Sequence, residues 1–82
     1  MMIIQRTERF LKSYASAPLS VRRSCDKKLA FLMNDLRHPS LHAKKYDEAH
    51  DVWQGRINDG WRFYFVIQED VYILVSMTPH PK

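Results

Sequence analysis

From Val52 onward the chain alternates apolar and polar residues with a period of two, whereas before Pro39 its apolar residues recur at steps of three and four. The first pattern is that of half-buried strands and the second that of amphipathic helices. The apolar start "MIIQ" predicts a short strand, and Thr7 is placed to cap a helix over "TERFLKSYASA", with Phe10, Leu11 and Tyr14 on one face. Pro18 breaks that helix, and Ser20 is positioned to cap a second. Val21, Cys25, Leu29, Leu32, Met33 and Leu36 then form a continuous stripe, leaving Arg22, Arg23, Lys27 and Lys28 facing outward. This helix is expected to stop near His38, because Pro39 disfavours helical backbone in the residue before it. "HPSLHAKKYDEAHD" is polar and reads as a connecting loop. Strands are expected at 52–57, 61–67 and 71–78, with turns at "NDG" and "QED". Together these predict an α+β fold: a short N-terminal strand, two helices, then a three-stranded antiparallel meander, with the helices on one face of the sheet.

The register of the first hairpin follows from asking which loop keeps the apolar face intact. A two-residue loop at Asp59-Gly60 sets Ile57 opposite Arg62 and mixes charge into the core. A three-residue loop, Asn58-Asp59-Gly60 with a left-handed glycine, sorts the faces. Ile57 then meets Trp61, Gly55 meets Phe63 and Trp53 meets Phe65 on one side, while Arg56 meets Arg62 and Gln54 meets Tyr64 on the other. The same test on the next turn favours the loop Gln68-Glu69-Asp70, with Phe65 opposite Ile73, Phe63 opposite Val75 and Arg62 opposite Ser76. The solvent face then gathers Arg56, Arg62, Ser76, Thr78 and, if the strand continues past Pro79, His80. Tyr64, Val66, Tyr72 and Leu74 form an apolar patch on that same face, suited to a partner protein or to stacked bases. Two arginines placed directly opposite repel by roughly 0.2–1 kcal/mol and cannot lose their protons at neutral pH. An anion between them converts repulsion into charge-assisted hydrogen bonds. The competing reading is that both guanidiniums splay into solvent or pair with Asp51, Asp59 or Glu69.

Composition narrows the class further. The 82 residues fit one small domain, spanning 1–82, with a modest core. Thirteen Lys and Arg against nine Asp and Glu give a net charge of +4, which favours a polyanionic partner over an acidic one. Cys25 is the only cysteine, so no internal disulfide forms, and a reducing compartment is expected. No apolar run approaches the roughly 20 residues that span a bilayer, and "MMII" passes at once into "QRTER", so a cytoplasmic protein without membrane association is expected. Cys25 reads as a small buried apolar residue. His38 and His42 flank Pro39 without a second cysteine or a histidine cluster, so no metal and no cofactor are expected. Lys44 and Lys45, with Arg22, Arg23, Lys27 and Lys28, are placed to meet phosphates or to remain ordinary solvated charges.

The ordered set Trp53, Arg56, Asn58-Asp59-Gly60, Trp61-Arg62 and "FYFVI", within "KKYDEAHDVWQGRINDGWRFYFVIQEDVYILVSMTPH", resembles the RelE/ParE superfamily of bacterial toxins. "VRRSCDKKLAFLMNDLRHPS" is similar to that family's second helix and the proline loop after it, so the resemblance covers nearly the whole chain. It implies a toxin of a type II toxin–antitoxin system, and for the RelE/YoeB-like branch a metal-independent endoribonuclease that cleaves messenger RNA on the ribosome. It implies a cognate antitoxin, the ribosome and mRNA as partners. Arg62 matches the arginine thought to hold the scissile phosphate, and Arg56 a basic position on the preceding strand. His80 lies where the YoeB-type branch carries a histidine resembling a general acid, and Lys45 matches a recurrent lysine. His42 stands where YoeB-like members place a glutamate as base, and a histidine has a suitable pKa for that role. Catalytic expectations thus fall on Arg62, Arg56, His80 and His42, and RNA-phosphate contacts on Lys44, Lys45, Gln54 and Tyr64. Gln54 and Gly55 replace positions that are basic in some strong RNases. The same fold also fits a ParE-like inhibitor of DNA gyrase, or a decayed toxin that only binds its antitoxin.

Overall fold

The computed structural model describes residues 2–79. Strand β1 (Ile3–Arg6) leads into helices α1 (Glu8–Ser16) and α2 (Leu19–Asn34), a 3-10 turn (Pro39–Leu41), and strands β2 (Lys44–Asp47), β3 (Val52–Asn58), β4 (Trp61–Gln68) and β5 (Val71–Pro79). One five-stranded sheet runs in the order β1-β5-β4-β3-β2, with β1 parallel to β5 and the other neighbours antiparallel. Helix α1 lies against β5 and α2 against β3. The expected α+β layering and helix order hold, and the sheet has one strand more than expected.

That extra strand, β2, lies inside the segment expected to be a loop. Lys44 pairs with Gln54, Lys45 with Trp53 and Asp47 with Val52. It carries no apolar alternation because it is an edge, and charged edge strands are how sheets discourage further pairing. The segment before it is anchored by Leu41, which is fully buried. His38 introduces the turn, its Nδ1 accepting from Ser40 N at 3.2 Å while its ring stacks on Phe31 at 4.0 Å.

Thr7 caps α1 as expected, its Oγ1 accepting from Phe10 N at 3.2 Å. Pro18, not Ser20, sits at the start of α2. Ser20 lies one turn-position inside, because Pro18 needs no donor there and its carbonyl accepts from Arg22 N at 3.0 Å. Helix α2 ends at Asn34 rather than near His38, because Asp35 turns extended and its carboxylate accepts from Arg37 N at 2.9 Å. Phe10, Val21, Cys25, Leu29 and Leu32 fill the helical side of the core, whereas Leu11 and Met33, at the margins of their stripes, are exposed.

Two bulges set which strand residues face the helices. In β3 the register shifts between Arg56 and Asn58, so Asn58, not Ile57, pairs with Trp61. The connection is thus the two-residue tip Asp59-Gly60, with Asn58 Oδ1 accepting from Gly60 N at 2.8 Å and no left-handed glycine. Beyond the bulge the pairs are as expected: Arg56 with Arg62, Gly55 with Phe63, Gln54 with Tyr64 and Trp53 with Phe65. The extra residue, Ile57, is turned into the core.

The second bulge lies in β5 around Val75 and overturns the expected register there. The turn is Glu69-Asp70, Gln68 pairs with Val71, Phe65 with Leu74, and Val66 with Ile73; past the bulge Tyr64 pairs with Ser76, Phe63 with Met77 and Arg62 with Thr78. Tyr72 and Leu74 therefore belong to the buried core rather than to an outer patch. The bulge is held from α1. Thr7 Oγ1 donates to the carbonyls of Leu74 (2.8 Å) and Val75 (3.1 Å), and Ser13 Oγ accepts from Met77 N at 3.2 Å. The Leu74 and Val75 carbonyls and the Met77 amide at the bulge thereby find side-chain partners.

Candidate phosphate-binding site

On the sheet face away from the helices, Arg56 and Arg62 stand on facing positions of β3 and β4. They line a cleft of about 370 Å³ together with His42, Ala43, Lys44 and Gln54. Five of these six, all but Ala43, were expected from the sequence and its resemblance as catalytic or phosphate-contacting residues. The loop and β2 add His42 and Lys44 because the Lys44–Gln54 pairing carries the edge strand alongside the arginine pair.

The two arginines are held differently. Arg62 is pinned by the hairpin tip, its Nη1 donating to Asn58 O at 2.6 Å and Trp61 O at 3.0 Å, and among the described residues no carboxylate pairs with it. Arg56 is ion-paired through Nη2 to Asp59, whose side chain is 87% exposed. Pairing with Asp59 was one of the alternatives to an anion site, and it applies to Arg56 alone. The remaining charge in the cleft is positive, and guanidiniums fixed before a ligand arrives need no reorganisation to meet it.

His42 occupies the left-handed backbone region (φ 46°) at the end of the 3-10 turn. A non-glycine residue there is uncommon, and here it brings the chain from buried Leu41 to the cleft edge. Gln54 is buried and its Nε2 donates to Tyr64 Oη at 3.3 Å. This pair forms the wall between the arginine cleft and a neighbouring hollow of about 330 Å³ lined by Tyr46, Asp47, Tyr64, Ser76 and Thr78 among others. Tyr46, 4.9 Å from Tyr64 between ring centroids, was not anticipated, because nothing in the local pattern of "KKYD" marks it as a strand beside β3.

Lys45 does not join this cleft. It is paired with Trp53 on the opposite face, where its Nζ lies 5.3 Å from the indole centroid and donates to Asp51 at 2.8 Å. Alternation along β2 forces this: Lys44 and Lys45 cannot share a face. His80, the expected general acid, lies outside the described residues. Gly55 has a packing reason for lacking a side chain, since the Phe63 ring occupies the space a Cβ would need.

No protein-family model and no curated protein sequence matches the chain. Solved structures do. YafQ from E. coli superposes with a TM-score of 0.80 at 10% identity, covering 98% of this chain and 94% of that one. A chain of the intact E. coli RelBE toxin–antitoxin complex gives 0.73 at 20% identity, covering 100% of both. The YoeB/ParE toxin from Agrobacterium tumefaciens gives 0.78 at 11% identity, covering 98% of this chain and all of that one. No helix among the described residues is long and apolar enough to cross a membrane. With its helix pair, its sheet order and these near full-length superpositions, the chain has the fold of the RelE/ParE toxin superfamily.

Proposed function

We propose that the chain is the toxin of a toxin–antitoxin pair and acts in the cytoplasm as an endoribonuclease on ribosome-bound messenger RNA. The observation that carries this reading is the facing pair Arg56 and Arg62 in one cleft with His42, Lys44 and Gln54. In this chemistry a ribose 2′-oxygen attacks the adjacent phosphorus, a bond forms to give a 2′,3′-cyclic phosphate, and the 5′-oxygen leaves. The 2′-hydroxyl proton passes to a base and the leaving oxygen receives one from an acid. Arg62, with its Nη1 fixed by the hairpin carbonyls, holds the phosphate and meets the charge that grows on its oxygens. Arg56 joins it when the phosphate displaces Asp59. His42, on the cleft edge, takes the role of base, and His80 that of acid; Lys44 and Gln54 position the strand. Lys45 has no part, being turned to the other face. The antitoxin partner rests on the RelBE likeness, a toxin–antitoxin complex.

The test is inducible expression with mapping of message ends, wild type against Arg62→Ala. Loss of one fixed donor to developing charge lowers such rates by about 10²–10³-fold, so message cleavage and growth arrest are expected to disappear together. Growth arrest that persists in Arg62→Ala with messages intact would replace the nuclease by a gyrase inhibitor.

A further inference from the structure

A second cleft, of about 430 Å³, opens between α2 and the hairpin tip and shares His42 and Arg56 with the first. Lys27 and Lys28 bring two more cations to it, and among the described residues the one carboxylate on its lining is Asp59. Lys28 is half-buried, and its Nζ donates to Ser40 O at 3.2 Å. Burial, then the charges of Lys27 and Arg56, hold its pKa below the ordinary lysine value. Folding therefore gathers three cations, including an arginine that cannot deprotonate, around a hollow that a small anion fits. Among the described residues the Asp59 carboxylate pairs only with Arg56, and being exposed it swings into water at little cost.

We propose that this cleft is a second phosphate subsite, which holds the phosphodiester adjoining the reacting one in the same RNA strand. It rests on the reading of the first cleft as a phosphate site. Contiguity is the argument for one strand: with Arg56 and His42 bordering both hollows, a chain lying in the first has its neighbouring linkage at the mouth of the second.

Two uncleavable probes separate the subsites: a 2′-O-methyl dinucleoside monophosphate with one phosphodiester, and a 2′-O-methyl trinucleoside diphosphate with two. Binding to the full chain is followed by NMR titration across salt concentrations. For the wild type, the slope of log affinity against log salt is expected to be steeper for the trinucleotide by about 0.7, the value for one added phosphate on a single strand. Lys28→Gln is expected to erase that difference and leave dinucleotide binding unchanged; Lys28→Arg is expected to restore it. Melting of Lys28→Gln at or above the wild-type temperature, expected from relief of the crowded cation, shows that the fold is intact. Equal slopes for the two probes in the wild type, a slope difference that survives Lys28→Gln, or a loss of equal size on both probes would each overturn the second subsite. If Arg62→Ala leaves dinucleotide binding untouched, the first cleft is refuted, and the two failures are thus told apart.

Discussion

Gly55 sits mid-strand, where a side chain would ordinarily be favoured, because the ring of Phe63 lies across its Cα. Gly55→Ala must push that fully buried ring out of place, and overpacking of this kind costs about 1–3 kcal/mol. A lower urea midpoint with an unchanged slope is the expected result. His42 presents the opposite balance. Its left-handed backbone is a conformation glycine adopts freely, so His42→Gly is expected to keep stability within about 1 kcal/mol. The same variant is expected to lose message cleavage if the imidazole is the base. A variant that melts like the wild type and still cleaves would remove His42 from the chemistry.

At the scale of elements, the arginine face depends on a bulge several residues away. Past Val75 the alternation of β5 is reset, so Ser76 and Thr78 join the face of Tyr64 and Arg62 while Leu74 and Met77 both point to the helices. The contacts that hold this reset come from α1. Ser13→Ala leaves Met77 N without its acceptor and is expected to cost about 1–3 kcal/mol. Thr7→Ala removes a helix cap as well as the donor to Leu74 and Val75, for a loss of about 1–2 kcal/mol from the cap alone. Amide exchange in Ser13→Ala is expected to accelerate at Met77 and its neighbours before the rest of β5. The alternation of "VYILVSMTP" did not betray the bulge, since an unbroken period of two fits that stretch equally well. Its cause lies in hydroxyls more than 60 residues earlier. The edge strand β2 was hidden for a related reason: its residues are polar, and only the open edge of β3 makes them a strand. The bulge at Ile57 explains why the register of the arginine pair was nevertheless legible. Either a three-residue loop or a two-residue turn with a bulge preserves the facing of Arg56 and Arg62, and keeping charge out of the core demands one of them.

For the molecule as a whole, the groups whose protonation folding alters most visibly act on the alkaline side. Cys25 is fully buried, and burial followed by the nearby Asp26 pushes its thiol up to about 12 from 9.0. Tyr14 is also raised, first by its hydrogen bond to Asp26, and Tyr72 is raised first by burial. In each case the folded value lies above the unfolded one, so the stability is whole below the unfolded pKa and is lost as pH climbs toward the folded one. Lys28 is lowered and acts in the reverse sense, its penalty easing as pH approaches 10.5. Lys45 is raised as well, first by its hydrogen bond to Asp51, so four groups stand against one and stability is expected to fall from about pH 9 upward. A single buried thiol sets a slope of about 1.4 kcal/mol per pH unit. Urea unfolding at pH 8 to 11 checks this, and Cys25→Ala, though less stable at pH 8, should fall more gently. By the same burial, a thiol reagent is expected to label Cys25 only as fast as the chain opens.

The local pattern of the chain determined its two helices, the strands of its two hairpins, most of its apolar layer and the pairing of Arg56 with Arg62, because hydrophobic periodicity and the exclusion of charge from a core act over a few neighbouring residues. Tertiary structure alone decided that β2 is a strand, that Tyr72 and Leu74 are core, and that Lys44 reaches the cleft while Lys45 turns away onto Trp53. It also decided that Asp59 occupies one arginine and leaves the other to the cleft, and that α2 brings Lys28 to Arg56. Most of these outcomes depend on backbone groups and charges that lie far apart in the chain and meet only after the sheet has closed against its helices; Arg56 and Asp59, three residues apart, are brought together by the bulged hairpin tip.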